Sequence, residues 1–434
     1  MDRLRRADPG AAMKLVALMF AFAACWSSSP ASSSHPATTT AAKIHTCAIE
    51  PPIRTPQQLL LVDWLGRIGD RSWLLARHEQ QLSLVGLAGA QLYAVPVGLE
   101  TLRASYVAGT RLSLVGTRDA RTYVVAFDVD APRPRPTDAR ELADLGPLSA
   151  IDGYAVSSDL ELLVERGHKV SFQLFDRAHR RLGPEVVINS SEPRAPSLRC
   201  SGDRCFAIGV EGDAQLRRLY AQRFYADGHT EHQVLAEDRV HAYEHVTVHD
   251  RTVVVWTSYD TPGLFMAVLD ATGKLISRRA AIRGIDATPA AFELLPASPP
   301  RIALRDPDGE WVIATLDVSG EQLDEIRIAP LPDEATTFAG VVLPDGVLGA
   351  AGWTRGYYTA IGHTWKAQAS ATFVPTTRET EPPIEVLPVT GGEGRGGMGA
   401  FPLVEPGHAA ILVVPTGFES SEGGELWLVR KPCP

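Results

Sequence analysis

The chain has 434 residues, of which 45% are apolar and 21% are charged. This composition is typical of globular proteins and excludes a mainly disordered, collagenous or multi-span membrane protein. The net charge of −9 leaves no basic footprint for nucleic acid, so we expect no nucleic-acid partner. Proline and glycine together exceed their average content, and extra turn-forming residues indicate many short strands.

The first 24 residues have the pattern of an export signal. Residues 1–6 contain three arginines, and the apolar run Leu15 to Ala24 follows Met13 and Lys14. A basic head, about ten apolar residues and small residues at the end are typical of a secretory signal. The run is shorter than the roughly 20 apolar residues that a spanning helix needs. Met1 and Met13 both remain open as the start of translation.

The end of this run, Phe22-Ala23-Ala24-Cys25, resembles the lipobox of bacterial lipoproteins, in which the cysteine becomes the lipidated first residue of the mature protein. Phe22 stands where that family usually has leucine. Residues 25–46 consist mainly of Ser, Thr, Pro and Ala, and such a stretch is expected to stay disordered and to act as a tether. The resemblance implies a lipoprotein of the bacterial cell envelope, on the periplasmic or outer-membrane face. Its lipid on Cys25 would be its only contact with the membrane.

Once Cys25 is lipidated, four cysteines remain, which is an even number in an exported protein. Four cysteines allow three connectivities. Cys200 and Cys205 flank a turn-like insert and could face each other across a hairpin, whereas Cys47 and Cys433 stand at the two ends of the folded part. We therefore predict the bridges Cys200–Cys205 and Cys47–Cys433.

Strands dominate the rest of the pattern. Only residues 137–145 have a weak helical pattern, with Leu142 and Leu145 three apart behind a cap at Thr137. Elsewhere short runs rich in β-branched and aromatic residues alternate with turn residues, as expected for a sandwich, a barrel or a propeller.

A repeat selects among these folds. An apolar residue followed by aspartate and a turn recurs at intervals of 43 to 51 residues, at Asp128, Asp176, Asp227, Asp270 and Asp317. This period suits one four-stranded propeller blade of about 40–50 residues. Residues 47–434 contain roughly eight periods, but we expect stretches 131–136 and 391–399 to form loops. We therefore predict an all-β propeller over residues 47–434 with about seven four-stranded blades, six or eight remaining open.

Residues 219–275 resemble the blade repeats of bacterial exported propeller proteins. The matching segments are Tyr220 to Phe224, the turn Asp227-Gly228, and the strand Val253 to Trp256. The resemblance implies a fold and export only, since this repeat serves many functions. To close the ring, we expect the strand Leu59 to Leu65 to pair with Glu425 to Val429, which would remove two exposed edges.

Histidines are concentrated between residues 229 and 249. His241, His245 and His249 are spaced by four, so on a strand all three could point to one face. Histidine is the commonest metal ligand, yet exposed polar positions on a strand and its loop explain the same pattern. Because no motif such as H-E-x-x-H is present, we predict no metal site and no cofactor. His241, His245 and His249 are the candidate ligands should a metal bind.

The sequence assigns no catalytic residue, because it contains no G-x-S-x-G elbow and no phosphate-binding loop. We expect a monomeric binding or scaffold module without catalysis, whose partner is an envelope protein or a surface glycan. The alternative is a propeller enzyme, a glycan hydrolase or lyase, with or without a metal. Acidic, Arg and His side chains that converge at one mouth of the channel would favour the enzyme.

Overall fold

Short apolar runs separated by Gly, Asp and Pro turns favour hairpins over helices. In the computed structural model these runs form 32 strands. The structure describes residue 49 and residues 51–54, 60–68, 71–78, 81–88, 91–131, 134–137, 139–142, 151–165, 169–189, 196–212, 215–282, 285, 288–289, 291–305, 311–316, 325–327, 337–343, 346–359, 362–375, 384–393, 398–405, 408–415 and 427–432. Every regular element in this part of the chain is a strand. No helix suited to crossing a membrane occurs in these residues.

The described strands form eight four-stranded antiparallel sheets, which we number in chain order. Sheets 1 and 2 consist of β2 (Leu60–Ile68), β3 (Arg71–His78), β4 (Gln81–Ala88) and β5 (Gln91–Pro96), and of β6 (Thr101–Ala108), β7 (Arg111–Arg118), β8 (Arg121–Asp128) and β9 (Arg140–Glu141). Sheets 3 and 4 consist of β10 (Ile151–Val156), β11 (Leu160–Glu165), β12 (Lys169–Asp176) and β13 (Arg181–Asn189), and of β14 (Ser197–Ser201), β15 (Arg204–Glu211), β16 (Arg218–Phe224) and β17 (Thr230–Ala236).

The second half of the chain repeats this arrangement. Sheets 5 and 6 consist of β18 (Val240–Val248), β19 (Arg251–Ser258), β20 (Leu264–Asp270) and β21 (Leu275–Ala281), and of β22 (Ala291–Leu295), β23 (Arg301–Arg305), β24 (Trp311–Thr315) and β25 (Glu325–Arg327). Sheets 7 and 8 consist of β26 (Thr337–Leu343), β27 (Gly346–Thr359), β28 (Gly362–Pro375) and β29 (Ile384–Glu393), and of β30 (Met398–Glu405), β31 (His408–Pro415), β32 (Trp427–Pro432) and β1 (Ile53–Arg54).

The sheets follow one another around a ring. The first strands of consecutive sheets lie side by side, except that sheets 4 and 5 meet chiefly through β17 and β21, and β30 of sheet 8 lies beside β2 of sheet 1. A closed circle of four-stranded antiparallel sheets is the architecture of a β-propeller, so the predicted fold class is confirmed. We call the face on which the first strands begin the entry face and the face on which they end the turn face.

The ring is closed by a different strand from the one predicted. β1 pairs with β32, Ile53 opposite Leu428 and Arg54 opposite Trp427, and so supplies the outermost strand of sheet 8. The expected pairing of Leu59 to Leu65 with the C-terminal segment is wrong, because residues 60–68 form the first strand of sheet 1. A two-residue strand suffices for closure, which leaves β2 free to stand beside β6.

The described parts of the two stretches expected to form loops make some strand-like pairs. Pro136 bridges to Phe127, and Gly391 and Gly392 pair with β28 inside sheet 7. Eight sheets are therefore found where the sequence favoured seven and left six or eight open. Within the stretch with a weak helical pattern, Arg140 and Glu141 pair with β8 and form β9 on the edge of sheet 2, and residues 143–145 lie outside the described residues.

The repeated aspartates hold the turns between the third and fourth strands. Asp176 Oδ1 accepts the backbone N–H groups of Ala178 and Arg180, each at 2.9 Å. Asp270 Oδ1 accepts those of Thr272 at 2.8 Å and Lys274 at 2.9 Å. This is the turn role predicted from the sequence, and Asp317 lies outside the described residues.

The core lies between the sheets. Successive side chains of a strand point to opposite faces of its sheet, so each sheet packs against both of its neighbours. In β19, Val254 and Trp256 pack towards sheet 4, and Val253 and Val255 pack towards sheet 6. We call these two interfaces seam 4/5 and seam 5/6.

Candidate functional site: two seams and the rim of the ring

β18 carries polar side chains into both seams. Glu244 lies opposite Val255 and His245 lies opposite Val254 in the register of β18 and β19. Directly opposed residues share a face of the sheet. Glu244 therefore faces seam 5/6 and His245 faces seam 4/5.

In seam 5/6, a pair of carboxyl groups joins the first strands of two sheets. The backbone N–H of Leu294 on β22 donates to Glu244 Oε2 at 2.9 Å. The side chain of the preceding residue, Glu293, hydrogen-bonds to Glu244. Both glutamates are half-buried residues whose carboxyl groups are desolvated in the seam, and two carboxyl groups in contact share a proton more readily than they hold two negative charges.

The pKa values of the two glutamates agree with this sharing. Burial raises the pKa of Glu244 to about 7, against the opposing effect of the hydrogen bonds from Leu294 and Glu293. Burial and then the negative charge of Glu244 raise the pKa of Glu293 well above its ordinary range. The pair therefore retains a proton at neutral pH, with Glu293 donating to Glu244.

Seam 4/5 has the opposite electrostatic character. Ser197 and Arg199 on β14 lie opposite Ile208 and Phe206, which belong to the same hydrophobic cluster as Trp256. They therefore face sheet 5, where His245 points back at them. Burial, followed by the positive charge of Arg199, lowers the pKa of His245 to about 3, so the imidazole is neutral at physiological pH.

Several buried polar atoms in seam 4/5 have no hydrogen-bond partner among the described residues. They are Ser197 Oγ, both ring nitrogens of His245, and Trp256 Nε1. The side chain of His245 is only 7% exposed and that of Ser197 is equally buried. β14 and β18 also make less backbone contact than any other neighbouring pair of first strands.

The three candidate metal ligands on β18 are not brought together. His241 is the extra residue of a β-bulge between Val240 and Ala242, His245 is buried in seam 4/5, and His249 sits in the following turn with φ 58°. Because a strand rises about 3.3 Å per residue, His241 and His249 stand about 25 Å apart at opposite faces of the ring. The described residues contain no group of three or more His, Cys, Asp or Glu side chains suited to a metal ion.

The entry face carries an exposed group of side chains that we call the rim cluster, which comprises Leu216, Arg239, His241, Tyr259 and Asp260. Tyr259 and Leu216 are each 54% exposed. The His241 ring meets the Tyr259 ring edge-on, with the centroids 4.6 Å apart. Arg239 lies over Tyr259 at 5.6 Å and its Nε donates to Asp260 Oδ1 at 2.9 Å.

The backbone holds the rim cluster in place. The N–H of Tyr259 donates to the carbonyl of Arg239 at 2.8 Å, and the N–H of Val240 donates to that of Arg217 at 2.8 Å. Three loops on the entry face are thereby tied together. Hydrogen bonds from the side chain and the backbone of Arg239 lower the pKa of Asp260, so its carboxylate stays charged.

Cys200 and Cys205 form a disulfide, the pairing predicted from the sequence. They are directly opposed on β14 and β15, with Cα atoms 4.0 Å apart. Gly202, with φ 62°, supplies the turn between them. The other predicted cysteine roles, the lipid on Cys25 and the bridge Cys47–Cys433, lie outside the described residues, as do the signal and the tether.

Sequence reasoning missed Arg199, Glu293 and Tyr259. Arg199 and Glu293 are the charged residues of two short first strands, Ser197–Ser201 and Ala291–Leu295. A charged residue within a buried strand is a signal that could have found both, since such residues are seldom buried without a partner. The exposure of Tyr259 depends on loop positions that the sequence pattern does not encode.

Comparisons with known proteins show no match to a protein-family model and none to a curated protein. Solved structures with a similar course of the chain include a prolyl endopeptidase, at 11% identity and a TM-score of 0.45 over 82% of this chain and 54% of that one. They also include polysaccharide lyase Uly1, at 9% identity and a TM-score of 0.42 over 89% of this chain and 100% of that one. The Dos1 propeller matches at 10% identity and a TM-score of 0.39, over 76% of this chain and 91% of that one.

The chain spans only about half the length of the prolyl endopeptidase. The matched proteins include peptidases, a lyase and a protein described as a propeller. Such distant similarity is confined to the course of the chain, and one fold hosts many activities. The chain is a propeller module whose role must be argued from its own residues.

Proposed function

We propose that this propeller is a binding or scaffold module without catalysis, held at the bacterial cell envelope by a lipid on Cys25. Its partner would be an envelope protein or a surface glycan. The observation that carries this proposal is the rim cluster, in which an exposed aromatic ring, an arginine and an aliphatic side chain stand together on three loops tied by backbone hydrogen bonds.

The rim cluster has the chemistry of a recognition surface. Tyrosine and arginine are enriched among the residues that contribute most to binding. The Tyr259 ring offers a large contact area, and its packing against His241 and Arg239 reduces the conformational entropy lost on binding. Loops fixed on a rigid scaffold are where proteins most often place recognition residues.

Photo-crosslinking in intact cells tests this surface. A photoreactive residue is placed at Tyr259, and in a matched control at Ile276, which is also exposed (53%) but lies on outer strand β21. We expect a discrete adduct from position 259 that position 276 does not give. Identical adduct patterns from both positions, or adducts from neither, would contradict a partner at the rim.

The anchor is tested separately by cell fractionation. Replacing Cys25 with alanine should release the mature protein into the soluble fraction, since the lipid would be its only membrane contact. The double variant Cys200→Ala/Cys205→Ala controls for loss of a cysteine in general and should remain membrane-bound. Membrane retention of the Cys25 variant would overturn the lipoprotein proposal and leave the rim proposal standing.

A second candidate function, a propeller enzyme acting on glycans, would have to use the Glu244–Glu293 pair as its acid or base. A carboxyl group with a pKa of about 7 suits a general acid or base. Hydrogen-bonded carboxyl groups are closer together than the roughly 5–9.5 Å that glycoside hydrolysis requires, so the pair fits a structural role better. Glycan cleavage by the purified chain that is lost in Glu244→Gln, but kept in the exposed control Glu185→Gln, would favour the enzyme.

A further inference from the structure

We propose that a long hairpin on the entry face, which we call the arm, binds a glycan chain that carries acidic groups. The arm comprises residues 353–359 of β27 and 362–368 of β28. It belongs to sheet 7 and is separate from the rim cluster, so the inference does not depend on the function proposed for that cluster.

The arm continues well past its own sheet. β27 and β28 have 14 residues each, whereas the first strand of the sheet, β26, has 7. Towards the entry face, the last pair that β26 makes is Thr337 opposite Gly352. Beyond this pair, β27 and β28 continue in unbroken register for seven more pairs, out to Thr359 opposite Gly362. At about 3.3 Å per residue, the arm adds about 23 Å of hairpin on the entry face.

The composition of the hairpin changes where β26 stops. Within the ring, β27 and β28 supply aliphatic residues to the core, among them Val347, Leu348 and Val374. The 14 paired positions of the arm contain no Leu, Ile, Val, Met or Phe. Four of them are aromatic, against 7% in the whole chain: Trp353, Tyr357, Tyr358 and Trp365. The arm therefore lacks the residues of a propeller core and is rich in those of a binding surface.

The arm also differs from the rest of the chain in charge. Residues 346–378 contain no Asp or Glu, although the whole chain has a net charge of −9. Arg355 lies directly opposite Lys366, and like charges in that position disfavour the strand pair. Glu393 of β29 lies opposite Lys366 on its other side, so this row of three residues has a formal charge of +1. An acidic ligand would lower the cost of placing the two cations together.

Protection of an open strand edge explains only part of this pattern. In the described part of the chain, β27 pairs with β28 alone once β26 has stopped. Cations on such an edge hinder unwanted pairing with other strands, which accounts for Arg355 and Lys366. Aromatic residues favour strand pairing instead, so the four aromatic residues of the arm call for a different explanation.

A glycan accounts for the aromatic and the polar residues together. Sugar rings stack on aromatic rings through their C–H faces, and their hydroxyl groups bond to residues such as Thr, Gln and His, which occupy other positions of the arm. Alternate residues of a strand share a face, so Trp353, Arg355 and Tyr357 follow one another along one face over about 13 Å. An elongated chain with acidic groups can meet ring, cation and ring in turn.

A membrane and a protein fit the arm less well. The headgroup layer of a bilayer is only about 5–8 Å deep on each side, so it cannot cover a row that runs along the arm. Segments that bind the membrane interface rely on an apolar face, and the buried core of a protein interface is also mainly apolar. The paired positions of the arm contain no aliphatic residue larger than Ala.

Calorimetric titration of the purified full-length chain tests the ligand class. The probes are polygalacturonate and dextran sulfate, which combine sugar rings with carboxylate or sulfate groups, dextran, which has no acidic group, and polyglutamate, which has no sugar ring. At constant ionic strength we expect at least one acidic glycan to bind about tenfold more tightly than dextran and polyglutamate. Saturable binding of neither acidic glycan, or equal affinity for polyglutamate, would overturn the proposal.

A shortened variant tests the location of the site. A two-residue Asn-Gly turn joins Gly352 to Ala369, which removes the arm and keeps the part of the hairpin that pairs with β26. We expect the variant to unfold in one cooperative transition and to lose glycan binding. Should it fail to fold, Trp365→Ala and Arg355→Gln test the arm separately, and each should weaken binding by about tenfold.

The matched controls remove comparable residues from other strands. Ile276→Ala removes an exposed apolar residue from β21, and Arg121→Gln removes an exposed cation from β8. Both should bind the glycan as the unaltered chain does. Unchanged affinity in the shortened variant, or equal losses in the arm and control variants, would overturn the proposal, as would binding to phosphatidylglycerol vesicles that is lost with the arm. The crosslink from position 259 is scored separately, so either surface can fail without the other.

Discussion

The polar side chains in the two seams on either side of sheet 5 differ in how they are hydrogen-bonded. In seam 5/6, Glu244 accepts a hydrogen bond from the N–H of Leu294 at 2.9 Å and another from the protonated carboxyl group of Glu293. In seam 4/5, the next residue along the same strand, His245, has no hydrogen bond from its ring nitrogens to any other described residue.

This difference separates a seam whose polar groups are hydrogen-bonded to each other from one in which buried polar atoms have no described partner. In seam 5/6 the carboxyl group of Glu293 donates to Glu244, and Glu244 also accepts the N–H of Leu294. The pair therefore links sheets 5 and 6 without a ligand. Buried polar atoms without a hydrogen-bond partner raise the free energy of the folded chain, and in seam 4/5 Ser197 Oγ and Trp256 Nε1 have none among the described residues. The following predictions test the two seams against each other.

The largest effect is expected from the apolar part of seam 4/5. Trp256 is fully buried and packs against Phe265, with ring centroids 6.0 Å apart. Trp256→Ala should lower the free energy of unfolding by about 3–5 kcal/mol, because it leaves a large cavity. Urea denaturation measures this loss.

A phenylalanine at the same position separates packing from hydrogen bonding. Trp256→Phe keeps an aromatic ring and removes an N–H that has no partner among the described residues, so it should cost far less than Trp256→Ala. Equal losses in the two variants would mean that the indole N–H has a partner that stabilises the fold.

Gly273 reports on how closely sheets 4 and 5 approach each other. Its φ is 79°, and a Cβ atom there would lie 2.5 Å from Cγ of Phe206 across the seam. Gly273→Ala should therefore cost about 2–4 kcal/mol, from backbone strain and from overpacking together.

Gly109 is the matched control for that substitution. Its φ is 62°, and a Cβ atom there would meet nothing within 4 Å, so Gly109→Ala should cost only about 1 kcal/mol of backbone strain. The difference between the two denaturation midpoints isolates the contact across the seam. Midpoints that agree would contradict the close approach of Gly273 to Phe206.

Local features of this fold could be predicted from the sequence because short-range chemistry determines them. The turn aspartates Asp176 and Asp270 bond to backbone groups within four residues. The disulfide joins residues five apart across one hairpin. The recurring turn aspartates showed a period of 43 to 51 residues, and this period predicted the propeller.

Features that depend on distant neighbours could not be predicted in this way. Closure by Ile53 and Arg54 depends on β32 at the other end of the chain. Side chains on a strand alternate between its two faces, and the bulge at His241 interrupts this alternation. The spacing of four between His241 and His245 therefore did not place them on one face. Whether Arg199 faces solvent, a carboxylate or His245 depends on the adjacent sheet, which a single-strand pattern cannot specify.

The smallest effect is expected from pH, acting through seam 5/6. The pKa of Glu244 in the folded chain is about 7, raised from 4.5, and that of Glu293 is also raised. In the unfolded chain both carboxyl groups lose their protons near pH 4.5, whereas the folded pair retains a proton to higher pH. The unfolded state therefore binds fewer protons in this range, and stability falls as the pH rises from about 4.5 to about 7.

Glu244→Gln should flatten this decline. The amide oxygen can still accept the N–H of Leu294, and the shared proton is no longer required. The groups that face Glu244 from β22 are Glu293 and the N–H of Leu294, so the decline belongs to the pair. Between pH 5 and pH 8 the unaltered chain should lose on the order of 1–3 kcal/mol more than the variant. The exposed control Glu185→Gln should retain the full decline, and identical pH profiles for Glu244→Gln and the unaltered chain would show that the two glutamates do not share a proton.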